Sequence, residues 1–229
     1  MKGQELSMAL WALAKLERGS KAGDEEGVCL YRGSGTAQAL APHIVGLIPE
    51  LSKQGLANVC WALGRLGVHP GEDALKRLEK AFVGEVNGLT EQDIAMCLQA
   101  FARLDHAVGD ELMYAITGFL KANGAGISVR AAAHILWGYA HNGSGPAPRE
   151  VVSLLLSRLV SGGEQLTAVE VVSAATSLVK IKGHVSEEGS TLPTPREWDA
   201  AVDKLASVAA SRASDERGVA GRLGPCEIG

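Results

Sequence analysis

QELSMALWALAKL, residues Gln4 to Leu16, is the stretch on which the fold turns. It returns as QGLANVCWALGRL from Gln54, as QDIAMCLQAFARL from Gln92 and as RAAAHILWGYAHN from Arg130. A faded copy, VEVVSAATSLVKI, starts at Val169. Aligned on the column Trp11, Trp61, Gln99, Trp137, Thr176, the copies lie 50, 38, 38 and 39 residues apart. A recurring period of this size indicates one supersecondary unit copied about five times, an array rather than a single enclosed core.

Within each copy the apolar residues follow the helical period. Leu6, Leu10 and Leu13 stand at i, i+4 and i+7, the stripe of a helix with one face in a core. The same places hold Leu56, Cys60, Leu63; Ile94, Leu98, Phe101; Ala132, Leu136, Tyr139; and Val171, Ala175, Leu178. A turn rich in Gly, His, Asn and Pro follows each copy, and then a second helix. Those helices are expected over Glu72 to Val83, Asp110 to Lys121, Arg149 to Val160 and Arg196 to Ala210, with the first in the Ala37 to Ser52 region. Pro42 falls near the start of that one, where proline is tolerated. Pro146-Ala147-Pro148-Arg149-Glu150 is echoed by Pro193-Thr194-Pro195-Arg196-Glu197, prolines preset for a first helical turn beside an acid that complements the helix dipole. The echo is 47 residues away, so about eight extra residues are assigned to Ser186 to Leu192.

The sequence therefore predicts an all-α fold, an α-solenoid of about five two-helix repeats over residues 1–210. Residues 18–35 are read as an inserted surface loop and residues 211–229 as a poorly ordered polar tail. Hydrophobic residues make up 46% of the 229 and aromatics only 4%. The core is thus largely aliphatic, and small side chains let stacked helices approach closely. No apolar run approaches the ~18 residues of a membrane span. Met1 to Glu5 runs straight into a repeat helix rather than a signal or transit peptide, so the chain reads as starting part-way through a longer array. The net charge of −4 excludes nucleic-acid binding through an overall positive field, so such a site has to be a local patch.

A second stripe, Gln4, Met8, Trp11, Lys15, lies away from the leucines. Its last position is basic or a histidine in every copy: Lys15, Arg65, Arg103, His141, Lys180. Stacked copies line these groups along one edge, where they could track the phosphates of a single strand. The alternative is a cation complementing a helix C-terminus or snorkelling over apolar neighbours. The column Met8, Asn58, Met96, His134, Ser173 changes chemistry from copy to copy, as a base-reading surface does and as any unconstrained exposed position does. The Trp column either stacks bases or packs between helices with an indole edge at the surface.

Catalytic and metal-binding constellations are absent. Gly33-Ser34-Gly35-Thr36 lacks the lysine and spacing of a phosphate-binding loop. His69, His106 and His184 occupy equivalent turns, which suits a turn role. His134 and His141 are about 10.5 Å apart along a helix axis, too far to share a metal. Among Cys29, Cys60, Cys97 and Cys226 there is no C-x-x-C pair; Cys60 and Cys97 sit in the apolar motif, as inert core thiols do. No cofactor, metal or small-molecule substrate is expected.

The phrase Leu6 to Leu16, its copy Leu56 to Leu66 and the P-x-P-x-E-W of Pro193 to Trp198 resemble the octotricopeptide-type repeats of organellar RNA-binding proteins. That broad class also includes FAST-kinase-like and RNA-editing-substrate-binding-complex-like proteins, and the similarity covers about residues 4–210. The resemblance implies a non-enzymatic α-solenoid that binds single-stranded RNA in mitochondria or plastids. It implies action in RNA processing, stability or translation beside other RNA-processing proteins. The transit peptide and C-terminal RAP domain common in that class are not visible here. The competing reading is an armadillo- or HEAT-like scaffold for an extended peptide.

Overall fold

A computed structural model describes residues 2–19, 35–142, 148–183 and 193–220. It is all-helical, with no strand among the described residues. The five motif copies are α1 (Gly3–Gly19), α4 (Lys53–Leu66), α6 (Glu91–Arg103), α8 (Val129–His141) and α10 (Ala168–Gly183). Between them come α2 (Gly35–Leu40), α3 (Ile44–Leu47), α5 (Glu72–Glu85), α7 (Asp110–Asn123) and α9 (Arg149–Gly162), and α11 (Pro195–Ala220) follows the last. Motif helices pack in chain order, α1 on α4, α4 on α6, α6 on α8 and α8 on α10. The intervening helices form a second row, α5 on α7, α7 on α9 and α9 on α11. The core lies between the rows. Of the fifteen stripe residues only Leu13 and Ala175 are half-buried, and the other thirteen are buried.

Start signals recur with the same period as the stripe. Ser52, Thr90 and Ser128 cap α4, α6 and α8 by accepting from the backbone N–H groups of Gly55, Asp93 and Ala131 at 3.1, 3.2 and 3.2 Å. Thr167 caps α10 in the same way, accepting from the Glu170 amide at 3.3 Å. At Thr90 and Thr167 the bond is reciprocated, because Asp93 and Glu170 accept from the capping residue's own amide at 3.0 and 2.8 Å. These are capping boxes, each satisfying two otherwise orphaned donors. Ahead of each cap a single 3₁₀ turn closes the previous unit, at Ile48–Glu50, Val86–Gly88, Gly124–Gly126 and Gly163–Gln165. At its far end α4 stops on Gly67, whose φ of +64° is the left-handed cap that glycine adopts without strain.

Three expectations change. The second helix of the first unit is broken: α2 and α3 are separated by a 3₁₀ turn at Ala41–His43, and another follows at Ile48–Glu50. Pro42 and Pro49 lie in these turns, where a missing N–H and a bulky ring prevent an uninterrupted α-helix. Arg18 and Gly19 belong to α1 and Gly35 to α2, while the rest of the expected loop, like the extra turn at Ser186 to Leu192, lies outside the described residues. Helix α11 continues past Ala210 to Ala220, into the segment expected to be a tail. The P-x-P-x-E-W motif starts α11 through a capping box in which Thr194 Oγ1 donates to Glu197 at 2.7 Å and accepts from its amide at 3.3 Å. Trp198 is buried behind it.

In the column that follows the first stripe residue, Ala57, Ala95 and Ala133 are buried, but Val172 of α10 is 61% exposed. No helix of the described residues is long and apolar enough to cross a membrane.

Candidate functional site

The exposed faces of the motif helices build one cleft of about 560 Å³ that touches all five. Trp11 and Lys15 come from α1, Asn58 and Trp61 from α4, Met96 and Gln99 from α6, Arg130 and His134 from α8, and Glu170 from α10. Helical spacing explains the set, since the stripe at i, i+4, i+7 and i+11 is the one the core does not use. Asn58, Met96 and His134 of the variable column thus meet in one place. Met8 is exposed on α1 outside the cleft lining, and Ser173 is half-buried, with its carbonyl accepting from Thr176 and Ser177.

Of the cation column only Lys15 lines the cleft. Arg65, Arg103, His141 and Lys180 stand in the last turns of their helices, where they also complement the helix dipole. Arg65 and Arg103 are neighbours. Partial burial and the positive field of Arg65 both lower the Arg103 pKa from its usual value. None of Lys15, Arg65, Arg103 or Lys180 makes an ion pair among the described residues. His141 donates Nδ1–H to the Trp137 carbonyl at 2.9 Å, which leaves Nε2 as its outward nitrogen.

The acids in the cleft are already engaged. Glu91 accepts from the Ser128 amide at 2.8 Å. Glu170 accepts from Thr167 and lies 2.8 Å from Arg130 Nε and 3.6 Å from His134 Nε2. Burial works against the Glu170 charge, but the Thr167 amide and hydroxyl, Arg130 and His134 together hold its carboxyl below the usual range. His134 is shifted down, chiefly by burial, with Glu170 opposing and Arg130 and Arg103 adding to the shift. At neutral pH it is a neutral hydrogen-bonding group in the cleft rather than a cation.

Several lining residues escape a reading of the two columns alone. Gln54, Gln92 and Arg130 hold the first place of three motif copies, one turn before the variable column, and all three face the cleft. Gln54 donates to Asn58 at 3.2 Å, so these amides act as a pair. The repeated glutamine in the motif was the available signal.

Two of the three turn histidines are tied into the fold, and His184 lies outside the described residues. His106 is buried, with Nε2 3.0 Å from Glu79 and Nδ1 3.6 Å from Glu72. His69 Nδ1 accepts from the Gly71 amide at 3.1 Å. No group of three or more His, Cys, Asp or Glu side chains able to hold a metal occurs among the described residues. Cys60 and Cys97 are free, fully buried thiols, and burial pushes both pKa values far up. No protein-family model matches the chain, and no curated protein is detectably similar to it in sequence.

Proposed function

We propose that the chain is an α-solenoid of about five two-helix repeats, with a period near 38 residues, that binds single-stranded RNA. In this reading the strand runs along the motif helices. Lys15, Arg65, Arg103, His141 and Lys180 engage its phosphates, and the cleft residues Asn58, Met96 and His134 meet its bases. The chain has no catalytic role and acts in the processing, stability or translation of mitochondrial or plastid transcripts, a setting that rests on the resemblance of its repeats.

One observation carries the reading: Lys15, without an ion-pair partner among the described residues, lines a cleft whose acids are already bonded, and Arg65, Arg103 and Lys180 continue its column in the last turns of α4, α6 and α10. The charge of Arg65 lowers the Arg103 pKa, and neither residue makes an ion pair among the described residues. A polyanion neutralises this concentration of charge. Neutral amides in the cleft supply the hydrogen-bonding groups that unpaired bases need.

The second reading, a groove for an extended peptide, draws on the Gln54–Asn58 amide pair, which matches backbone hydrogen-bonding needs equally well. Two experiments separate them. Fluorescence anisotropy with single-stranded RNA should show saturable, salt-sensitive binding. Ultraviolet crosslinking in cells should recover RNA with the protein. Partners that survive nuclease treatment, together with no crosslinked RNA, would replace this function with the scaffold.

A further inference from the structure

Two cations of the column lie near indole rings. The Lys15 ammonium lies 5.0 Å from the ring centroid of Trp11 on its own helix and 5.5 Å from that of Trp61 on α4. The Arg103 guanidinium lies 5.7 Å from the centroid of Trp137 on α8. The pairing has a register, in which the cation of one copy meets the tryptophan of the next. Arg65 is the informative exception. The next copy carries Gln99 in the tryptophan column, and Arg65 makes no cation–π contact among the described residues.

We propose that Trp61 and Trp137 are positioning residues, holding Lys15 and Arg103 on the rim for phosphate rather than stacking against bases. This rests on the RNA reading above. An indole face attracts a cation through its quadrupole, yet unlike a carboxylate it leaves the formal charge uncancelled and available to a ligand. A long side chain fixed in advance also avoids the ordering cost that a free one incurs on binding. Both indoles are half-buried against neighbouring helices, and a base approaching the occupied region of Trp61 would have to displace the Lys15 ammonium.

Double-mutant cycles test the assignment. Affinity for a fluorescein-labelled oligouridylate is measured for K15Q, W61L and the double variant, and again for R103Q, W137L and their double variant. Positioning requires each single change to weaken binding several-fold, and W61L to add nothing once Lys15 is gone. W61F, which keeps a π face, should retain most of the affinity. Losses that multiply independently, or a W61L variant that binds as the wild type does, overturn the assignment. A wild-type chain that does not bind the oligouridylate or any other single strand overturns the RNA reading, and this inference with it. Should W61L fold poorly, NMR of the unaltered protein decides the matter. Lys15 side-chain methylene resonances shifted upfield by the two rings support the assignment, and values typical of a free lysine refute it.

Discussion

Gly64 of α4 and Ala100 of α6 are in backbone contact: a Cβ on Gly64 would lie 2.7 Å from the Ala100 Cα. The spacing of the motif helices, and with it the spacing of the rim cations, is set by small residues at such crossings. Gly64→Val should destabilise the protein by about 1–3 kcal/mol, the usual cost of overpacking, seen as a lower urea midpoint at unchanged m. Gly118 in α7 has open space where a methyl would go, so Gly118→Ala should stabilise by about 1 kcal/mol through helix propensity. Equal effects at the two sites would remove the packing argument.

Thr167 and Glu170 join helix start to cleft. Thr167→Ala should cost about 0.5–2 kcal/mol, as lost N-caps do. Glu170 has a folded pKa below its unfolded one. Its contribution is therefore fully present above the ordinary glutamate pKa of about 4.3 and is lost as pH falls through the lower folded value. Urea midpoints taken down through that window should fall in the wild type and fall less steeply in Glu170→Gln.

His106 ties the α6–α7 turn back to α5, and Glu79 also accepts from the Gly109 amide at 2.7 Å. His106→Leu removes a bond to a partly buried carboxylate, so a loss of about 1.5–3 kcal/mol is expected. The variant should leave RNA affinity unchanged where it is folded, because neither His106 nor Glu79 lines the cleft. A folded variant with weakened RNA binding would show that the turn has a further role.

Cys60 and Cys97 should resist alkylation in the native protein and react on denaturation, since a buried thiol with a raised pKa presents almost no thiolate. Mass spectrometry after a thiol-reagent pulse reads this residue by residue. Labelling of either cysteine in the folded state would contradict the core placement.

The motif helices were legible because the leucine stripe repeats at the helical period, and one face of such a helix has to be buried. The capping column Ser52, Thr90, Ser128, Thr167 was equally present in the sequence, at the same spacing, and adds a signal that the stripe does not contain. The breaks around Pro42 and Pro49 depend on where each proline falls within the helix, and a register uncertain by a turn hides that. The convergence of Asn58, Met96 and His134 follows from stacking equal faces. The pairing of Lys15 with Trp61 and of Arg103 with Trp137 does not. Which neighbour a long side chain leans on is decided by distances of a few ångström between helices, and these lie in the packing rather than in the spacing of residues.

The most direct test is the salt dependence of RNA affinity in the wild type and in a variant with Arg65→Glu and Arg103→Glu together. With up to about five phosphate contacts along the column, the slope of log K against log salt should be about −3.5 on a single strand. The paired reversal should shrink that slope by about 1.4 and weaken every sequence alike. An unchanged slope and affinity in the variant would contradict the central claim that these cations hold the strand.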